Sequence, residues 1–349
     1  MSERILSYSE ALREATEQEM ARDPGVFVIG QGVSDFKALY GTTRGLAERF
    51  GAHRVVDTPL SEDATTGIAI GAAMAGLRPI HTHIRMDFML LCMNQLVNLA
   101  AKSRYMYGGT VSVPLVVRGI IGRSWGQGAQ HSQALHSLFM HIPGLRVVAP
   151  TTPHDAKGCL IQAIREDDPV IFIEHRMLHF LEGHVPEEPY TVPYGQARVL
   201  APGNDVTIVG ISYAVVDCLR ARDALARDGF SAEVIDPVSL SPLDTRTIAD
   251  SVRRTGRLLV VDTGWVFCGA SAEIVAAVGE ALQDTAPFRF KRSGFAPVVC
   301  PTTKVLENLF YPTAESIAAD AHALITGERG KWTPGRIDSP ERREFKGPF

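Results

Sequence analysis

The sequence predicts an α/β protein of two successive domains, each a parallel sheet flanked by helices, the second the smaller. Two observations carry that expectation. Short apolar, β-branched runs alternate with helical patterns along most of the chain, which is the order of parallel α/β layers. At residues 183–205 the composition changes, with Pro186, Pro189, Pro193, Pro202, Glu187 and Glu188 reading as a linker. The expected division is therefore a first domain over 1–182, the linker over 183–205, a second domain over 206–328 and a tail over 329–349.

In the first domain, residues 7–22 read as a helix and Val26 to Ile29 as a strand ending at Gly30-Gln31-Gly32. Val55-Val56, Ile80, residues 115–117, 146–148 and 170–173 supply the later strands. The intervening helices are expected near 62–76, 87–106, 132–140 and 153–166. In the second domain, residues 206–210, 232–236 and 258–262 read as strands, and 213–227 and 270–282 as helices. The last twenty residues, rich in Arg, Glu, Gly and Pro, read as an arm or disordered tail.

Composition narrows the function classes. With 45% hydrophobic and 21% charged residues the chain is globular in character, and a net charge of -4 gives no basic footprint for nucleic acid. No apolar run approaches the length of a membrane span, and Met1-Ser2-Glu3-Arg4 opens no signal-peptide pattern, so a cytoplasmic protein is expected. The five cysteines are odd in number and lack a C-x-x-C pair, which argues against a disulfide framework or structural zinc.

Two side chains stand out for chemistry. Glu62 closes the run Asp57-Thr58-Pro59-Leu60-Ser61-Glu62, where a strand ends and a helix of small residues begins. A carboxyl held there, partly dehydrated, suits proton transfer; it also suits a helix N-terminus through the dipole alone. Gly67 and Gly71 lie four apart beside Ala64, a smooth stripe that fits either close packing within the chain or a seam between subunits. His131 follows Gly122, Gly126 and Gly128, a glycine density that suggests a loop bending near a ligand, and Ser132 is a candidate N-cap for the next helix.

Together with Gly76-Leu77-Arg78-Pro79, Gly128-Ala129-Gln130-His131-Ser132-Gln133, His141-Ile142-Pro143-Gly144-Leu145, Val148-Ala149-Pro150 and Glu233-Val234-Ile235-Asp236, in that order and spacing, the Glu62 segment resembles one family. It is the β subunit (E1β) of thiamine-diphosphate-dependent 2-oxo acid dehydrogenases of the pyruvate, branched-chain and acetoin type, within the transketolase-like superfamily. The resemblance implies a pyrimidine-binding first domain and a transketolase C-terminal-like second domain. It places Glu62 on N1′ of the aminopyrimidine, with Leu60, Ile84 and Phe88 around that ring, and His131 in the active-site funnel assisting acyl transfer to a lipoyl group. It also implies a potassium site at Leu115, Ala163, Ile164, Glu166 and Asp168, although Glu166-Asp167-Asp168 reads equally as a solvated turn.

The Gly-Asp-Gly motif that holds magnesium and the diphosphate does not occur in the chain. By resemblance that half belongs to an α subunit, in an α2β2 heterotetramer acting on a small 2-oxo acid, with a lipoyl acyltransferase core as a further partner. Several positions depart from the family pattern. Gln31 stands where relatives carry an acid, His81-Thr82-His83-Ile84-Arg85 replaces a run containing Glu and Phe, and Arg123-Ser124-Trp125 and residues 296–303 also differ. Arg85 and Arg123 suit either an anionic substrate group or ordinary surface and partner contacts. A split transketolase-like or biosynthetic enzyme, moving a ketol or acyl unit to a small acceptor, is the alternative. A non-catalytic relative is the third reading.

Overall fold

Two parallel sheets organise the chain, one in each of two units: Met1–Ile121 with Leu138–Tyr194, and Gly122–Ser137 with Gly195–Phe349. The computed structural model describes residues 4–35, 38–123 and 126–340.

The first unit opens with β1 (Ile5–Ser7) and α1 (Tyr8–Arg22). Ser7 caps α1 and Glu10 returns the bond in a capping box, which explains the sharp start the sequence suggested. Next come β2 (Val26–Gly30), α2 (Leu46–Phe50), β3 (Val55–Asp57), α3 (Glu62–Met74), β4 (Arg78–His83), α4 (Ala101–Met106) and β5 (Val116–Ile121). After α5 (His136–Met140) follow β6 (Arg146–Val148), α6 (Pro153–Arg165), β7 (Val170–His175) and β8 (Glu182–His184). The parallel strands lie in the order β6-β7-β5-β4-β2-β3, and β8 pairs antiparallel with β1. Strands buried on both faces open with apolar runs, Val116-Val117 in β5 and Val170 to Ile173 in β7, which is why both were legible.

One charged pair interrupts that core. Arg118 on β5 and Glu174 on β7 are both fully buried and make a two-pronged ion pair of 2.5 and 2.9 Å, with His179 Nε2 3.2 Å from the same carboxylate. Burial alone would raise the Glu174 carboxyl, but Arg118 and His179 hold it down to about 2.

Two helices differ from expectation. Residues 87–106 form no single α-helix: a 3-10 stretch over Met86–Cys92 and a π-helical turn over Gln95–Ala100 precede α4. The helix expected over 132–140 begins only at His136, so Ser132, although buried, does not cap it.

The second unit contains β9 (Arg198–Ala201), β10 (Val206–Gly210), α7 (Ala214–Arg227), β11 (Ala232–Asp236), β12 (Ser239–Ser241), α8 (Thr245–Thr255) and β13 (Arg257–Trp265). It continues through α9 (Ala270–Leu282), β14 (Arg289–Phe295), α10 (Lys304–Glu307) and α11 (Ala314–Thr326). Its sheet runs β14-β13-β10-β11-β9, with β9 antiparallel. The core joins Ile208, Val234 and Leu259 to Leu225 of α7 and Ile317 of α11. Residues 183–205, read as a linker, contribute to β8 and β9. The start of the C-terminal stretch docks on this unit: Trp332 stacks on His322 at 4.6 Å and donates to Asp228 Oδ2 at 2.7 Å. The rest of the expected tail, 341–349, lies outside the described residues.

Candidate active site

The strand order of the first, parallel sheet reverses between β2 and β4: the chain passes from β2 to β3 on one side and from β4 to β5 on the other. A crevice opens beyond the carboxyl ends of strands at such a reversal, and ligands of open α/β sheets bind there. Here Gln31 follows β2, Thr58 follows β3, and residues 81–85 form the end of β4 and its exit. With Glu62, Thr65 and Phe88 they line one pocket. β2 and β4 approach closely because residue 30 is glycine: a Cβ there would lie 2.4 Å from the Thr82 carbonyl oxygen.

Glu62 is the first residue of α3 and is half-buried. Its Oε1 accepts from the Gln31 amide at 3.3 Å, so the position where relatives are expected to carry an acid here offers a neutral donor. Ile84 and Phe88 share the pocket with Glu62, the former 37% exposed and the latter half-buried. Leu60 is 82% exposed and is not among the pocket-lining residues.

The imidazoles of His81 and His83 form the inner wall, edge to face with centroids 4.3 Å apart. Burial lowers His81 to about 4 and pushes His83 well below the ordinary histidine range, with His81 adding to the effect on His83. Both rings are therefore neutral at pH 7. His81 lies between two hydroxyls, Thr65 Oγ1 at 3.4 Å from Nε2 and Thr66 Oγ1 at 3.3 Å from Nδ1. The buried Thr82 Oγ1 and His83 Nε2 have no hydrogen-bond partner among the described residues. Arg85 is buried on the same lining. Sequence reasoning had flagged the two histidines and Arg85 but not Thr58, Thr65 or Thr82. The available signal was position, since Thr58 and Thr82 sit at the carboxyl ends of strands.

His131 belongs to the other unit. It follows a 3-10 turn over Gly128–Gln130, is half-buried, and lies in the segment 122–137. Positive φ at Gly122, Gly126 and Gly128 (101°, 78° and 65°) makes glycine the fitting residue at each bend. Arg123 is buried in the same segment; Ser124 and Trp125 lie outside the described residues.

The residues expected to hold potassium cluster at the end of α6, where arginines already meet them. Arg78 donates to the carbonyl oxygens of Ile164 at 3.0 Å and Glu166 at 2.9 Å, and to Asp167 Oδ1 at 2.7 Å. The Leu115 carbonyl accepts from the Val170 N–H at 2.9 Å. Arg146 lies 3.3 Å from the Glu166 carboxylate and 3.5 Å from that of Asp168, which Arg104 also meets at 2.5 Å. Ala163 is buried on α6.

The glycine stripe is only partly covered within the unit: Gly67 is half-buried beside Gln95, whereas Ala64 and Gly71 are exposed. α3 turns Thr65, Thr66, Ala69, Ile70 and Ala73 inward, while Ala64, Ile68, Gly71 and Met74 face outward. A Cβ on Gly71 would meet nothing within 4 Å.

Fold and pocket together define a class. Residues 5–180 match the family described as transketolase, pyrimidine binding domain, and residues 195–317 match transketolase, C-terminal domain. The chain is 44% identical over 339 residues to the β subunit of acetoin:2,6-dichlorophenolindophenol oxidoreductase of Cupriavidus necator, covering 93% of this chain and 98% of that protein. It is 41% identical over 314 residues to the pyruvate dehydrogenase E1 component subunit β of Rickettsia felis, covering 89% and 96%. A solved split-gene transketolase, titled an inactive β4 tetramer, has the same fold at a TM-score of 0.73 and 22% identity, covering 93% of this chain and 99% of its own. The chain belongs to the transketolase-like family of E1β subunits of thiamine-diphosphate-dependent 2-oxo acid dehydrogenases. No helix among the described residues is long and apolar enough to cross a membrane.

Proposed function

We propose that the chain is the β subunit of an E1 component that decarboxylates a 2-oxo acid and passes the acyl group to a lipoyl acceptor. In this proposal it works only with an α subunit, in an α2β2 heterotetramer in the cytoplasm. The observation that carries the site is the pocket pairing Glu62 with Phe88 at the sheet reversal. A carboxyl, an aromatic ring and two buried polar atoms without partners among the described residues fit an aminopyrimidine, which presents ring nitrogens and a flat face. Thiamine diphosphate, when bound, supplies the electron sink for decarboxylation. Glu62 would hold a proton at N1′, steadied by the Gln31 amide, with Ile84 and Phe88 against the ring and Leu60 at its exposed side. His131 would move a proton during acyl transfer. The diphosphate and its magnesium fall to the α partner, because no Gly-Asp-Gly occurs here.

The open face of α3 is where we propose that a neighbouring subunit docks. A potassium ion enters only as a structural ligand sharing the Ile164 and Glu166 carbonyls with Arg78, since each oxygen keeps a second lone pair. The domain division in this proposal is 1–182, 183–205, 206–328 and 329–349.

The test is co-purification with a Gly-Asp-Gly-containing α subunit and assay over a panel of 2-oxo acids, with a dye acceptor and with a lipoyl domain. Glu62→Gln should lower turnover by about 10²–10⁴-fold. Transfer of carbon to an aldehyde but never to lipoyl would favour the biosynthetic alternative.

A further inference from the structure

The segment that carries His131 is clamped on both sides. Eight residues before the histidine, Arg123 donates from Nη2 to Asn308 Oδ1 at 2.8 Å, and its guanidinium lies 4.5 Å from the centre of the Tyr311 ring. Five residues before it, the Gly126 N–H donates to Glu307 Oε2 at 3.3 Å. Glu307 is fully buried, and Tyr311 donates to its other oxygen at 3.4 Å. Gly128 sits directly on Thr302, where a Cβ would come within 2.9 Å of the hydroxyl. Five residues after the histidine, the buried His136 places Nε2 2.9 Å from Oδ1 of the buried Asp262.

These anchors differ in kind from ordinary loop packing. A bend through three glycines of positive φ has little conformational preference of its own. Its course is then set by what holds it, and a single buried carboxylate receives both a loop N–H and the hydroxyl of the ring under Arg123. All of these anchors except Asp262 fall between residues 302 and 311, beside the stretch 296–303 whose sequence departs from the family pattern.

We propose that Glu307 and Arg123 are positioning residues for His131, fixing the path of residues 126–137 so that the imidazole is presented in one place. This rests on the proposed role of His131 in acyl transfer. Glu307 is the keystone because it contacts the loop backbone itself, and Arg123 adds a cation over the ring that braces the carboxylate.

Two measurements on the full chain test it. The first is hydrogen exchange at the Gly126 amide in Glu307→Ala, Glu307→Gln and the unaltered chain. Glu307→Ala should speed that exchange by at least about tenfold while β10 and β13 amides keep their protection, and Glu307→Gln should restore it, since an amide oxygen still accepts the N–H. The second, on the complex with its α partner, is the ratio of lipoyl acylation to dye reduction. That ratio should fall about tenfold in Glu307→Ala and Arg123→Met, in the same sense as in His131→Ala, and recover in Glu307→Gln. Unchanged Gly126 exchange in Glu307→Ala overturns the proposal, as does an equal loss of both activities in that variant when His131→Ala loses acylation selectively. If His131→Ala shows no selective loss, the proposed role of the histidine fails, and the exchange measurement still decides whether Glu307 holds the loop.

Discussion

Acidification should weaken the first unit through His81, and the size of the effect follows from its surroundings. Burial holds the imidazole down to about 4, against about 6.5 in an unfolded chain. Between those two values the unfolded chain binds a proton that the folded chain refuses, so stability falls as pH drops through that window. From pH 7 to pH 5 the loss attributable to His81 is about 2 kcal/mol. For a unit of this size that corresponds to a drop of about 4–8 °C in Tm. His83 shifts in the same direction and adds to it. The assay is scanning calorimetry of the unaltered chain and His81→Gln at both pH values. Glutamine cannot take the proton, and its amide can still bond to Thr65 and Thr66. The variant's Tm should therefore fall less than that of the unaltered chain. Equal falls in the two proteins would refute the reasoning, as would an imidazole resonance of His81 titrating with a midpoint near 6.5.

Other consequences are open to measurement. Gly30→Ala forces a methyl to within 2.4 Å of the Thr82 carbonyl and should cost about 1–3 kcal/mol or more in denaturant unfolding, with loss of pocket geometry. Arg118→Met leaves Glu174 buried without its bidentate partner and should destabilise by about 3–5 kcal/mol; the double change Arg118→Met with Glu174→Gln should recover part of that. Replacing potassium with choline should lower Tm in a saturable way if the proposed structural ion binds, although Arg78, Arg104 and Arg146 already neutralise the acidic turn at the end of α6; a Tm independent of potassium would contradict the proposed ion.

The parts of this fold that were legible in the sequence are those where one local signal dominates. β5, β7, β10 and β13 each hold a short run dominated by apolar, β-branched residues, and α1 announces itself through Ser7 and Glu10. β14 was missed because Arg289, Lys291 and Arg292 make an edge strand look like loop. α8 was missed because it has only three apolar residues, Ile248, Ala249 and Val252, although Asp244 as N-cap and Gly256 in the left-handed region marked both its ends. Residues 86–106 carry helix-forming residues throughout, and nothing local marks the change from 3-10 to π to α geometry. At the candidate site Glu62 could be read from the strand-to-helix junction. The neutrality of His81 and His83 could not, since it depends on the burial that β4 and α3 create together.

α3 bears Glu62 at its first position and leaves Ala64, Ile68, Gly71 and Met74 exposed along its outer face. Under the proposed function, one element thus carries the reacting carboxyl at its tip and the docking surface along its side. Anything that settles on that side and favours one placement of the helix also alters how firmly Glu62 engages its ligand. By thermodynamic reciprocity, a ligand bound about tenfold more tightly by the assembled protein must itself strengthen assembly tenfold. Under the proposed function, dilution and cofactor depletion therefore act on a single equilibrium: thinning the subunits should loosen the cofactor, and withdrawing the cofactor should shed the subunits.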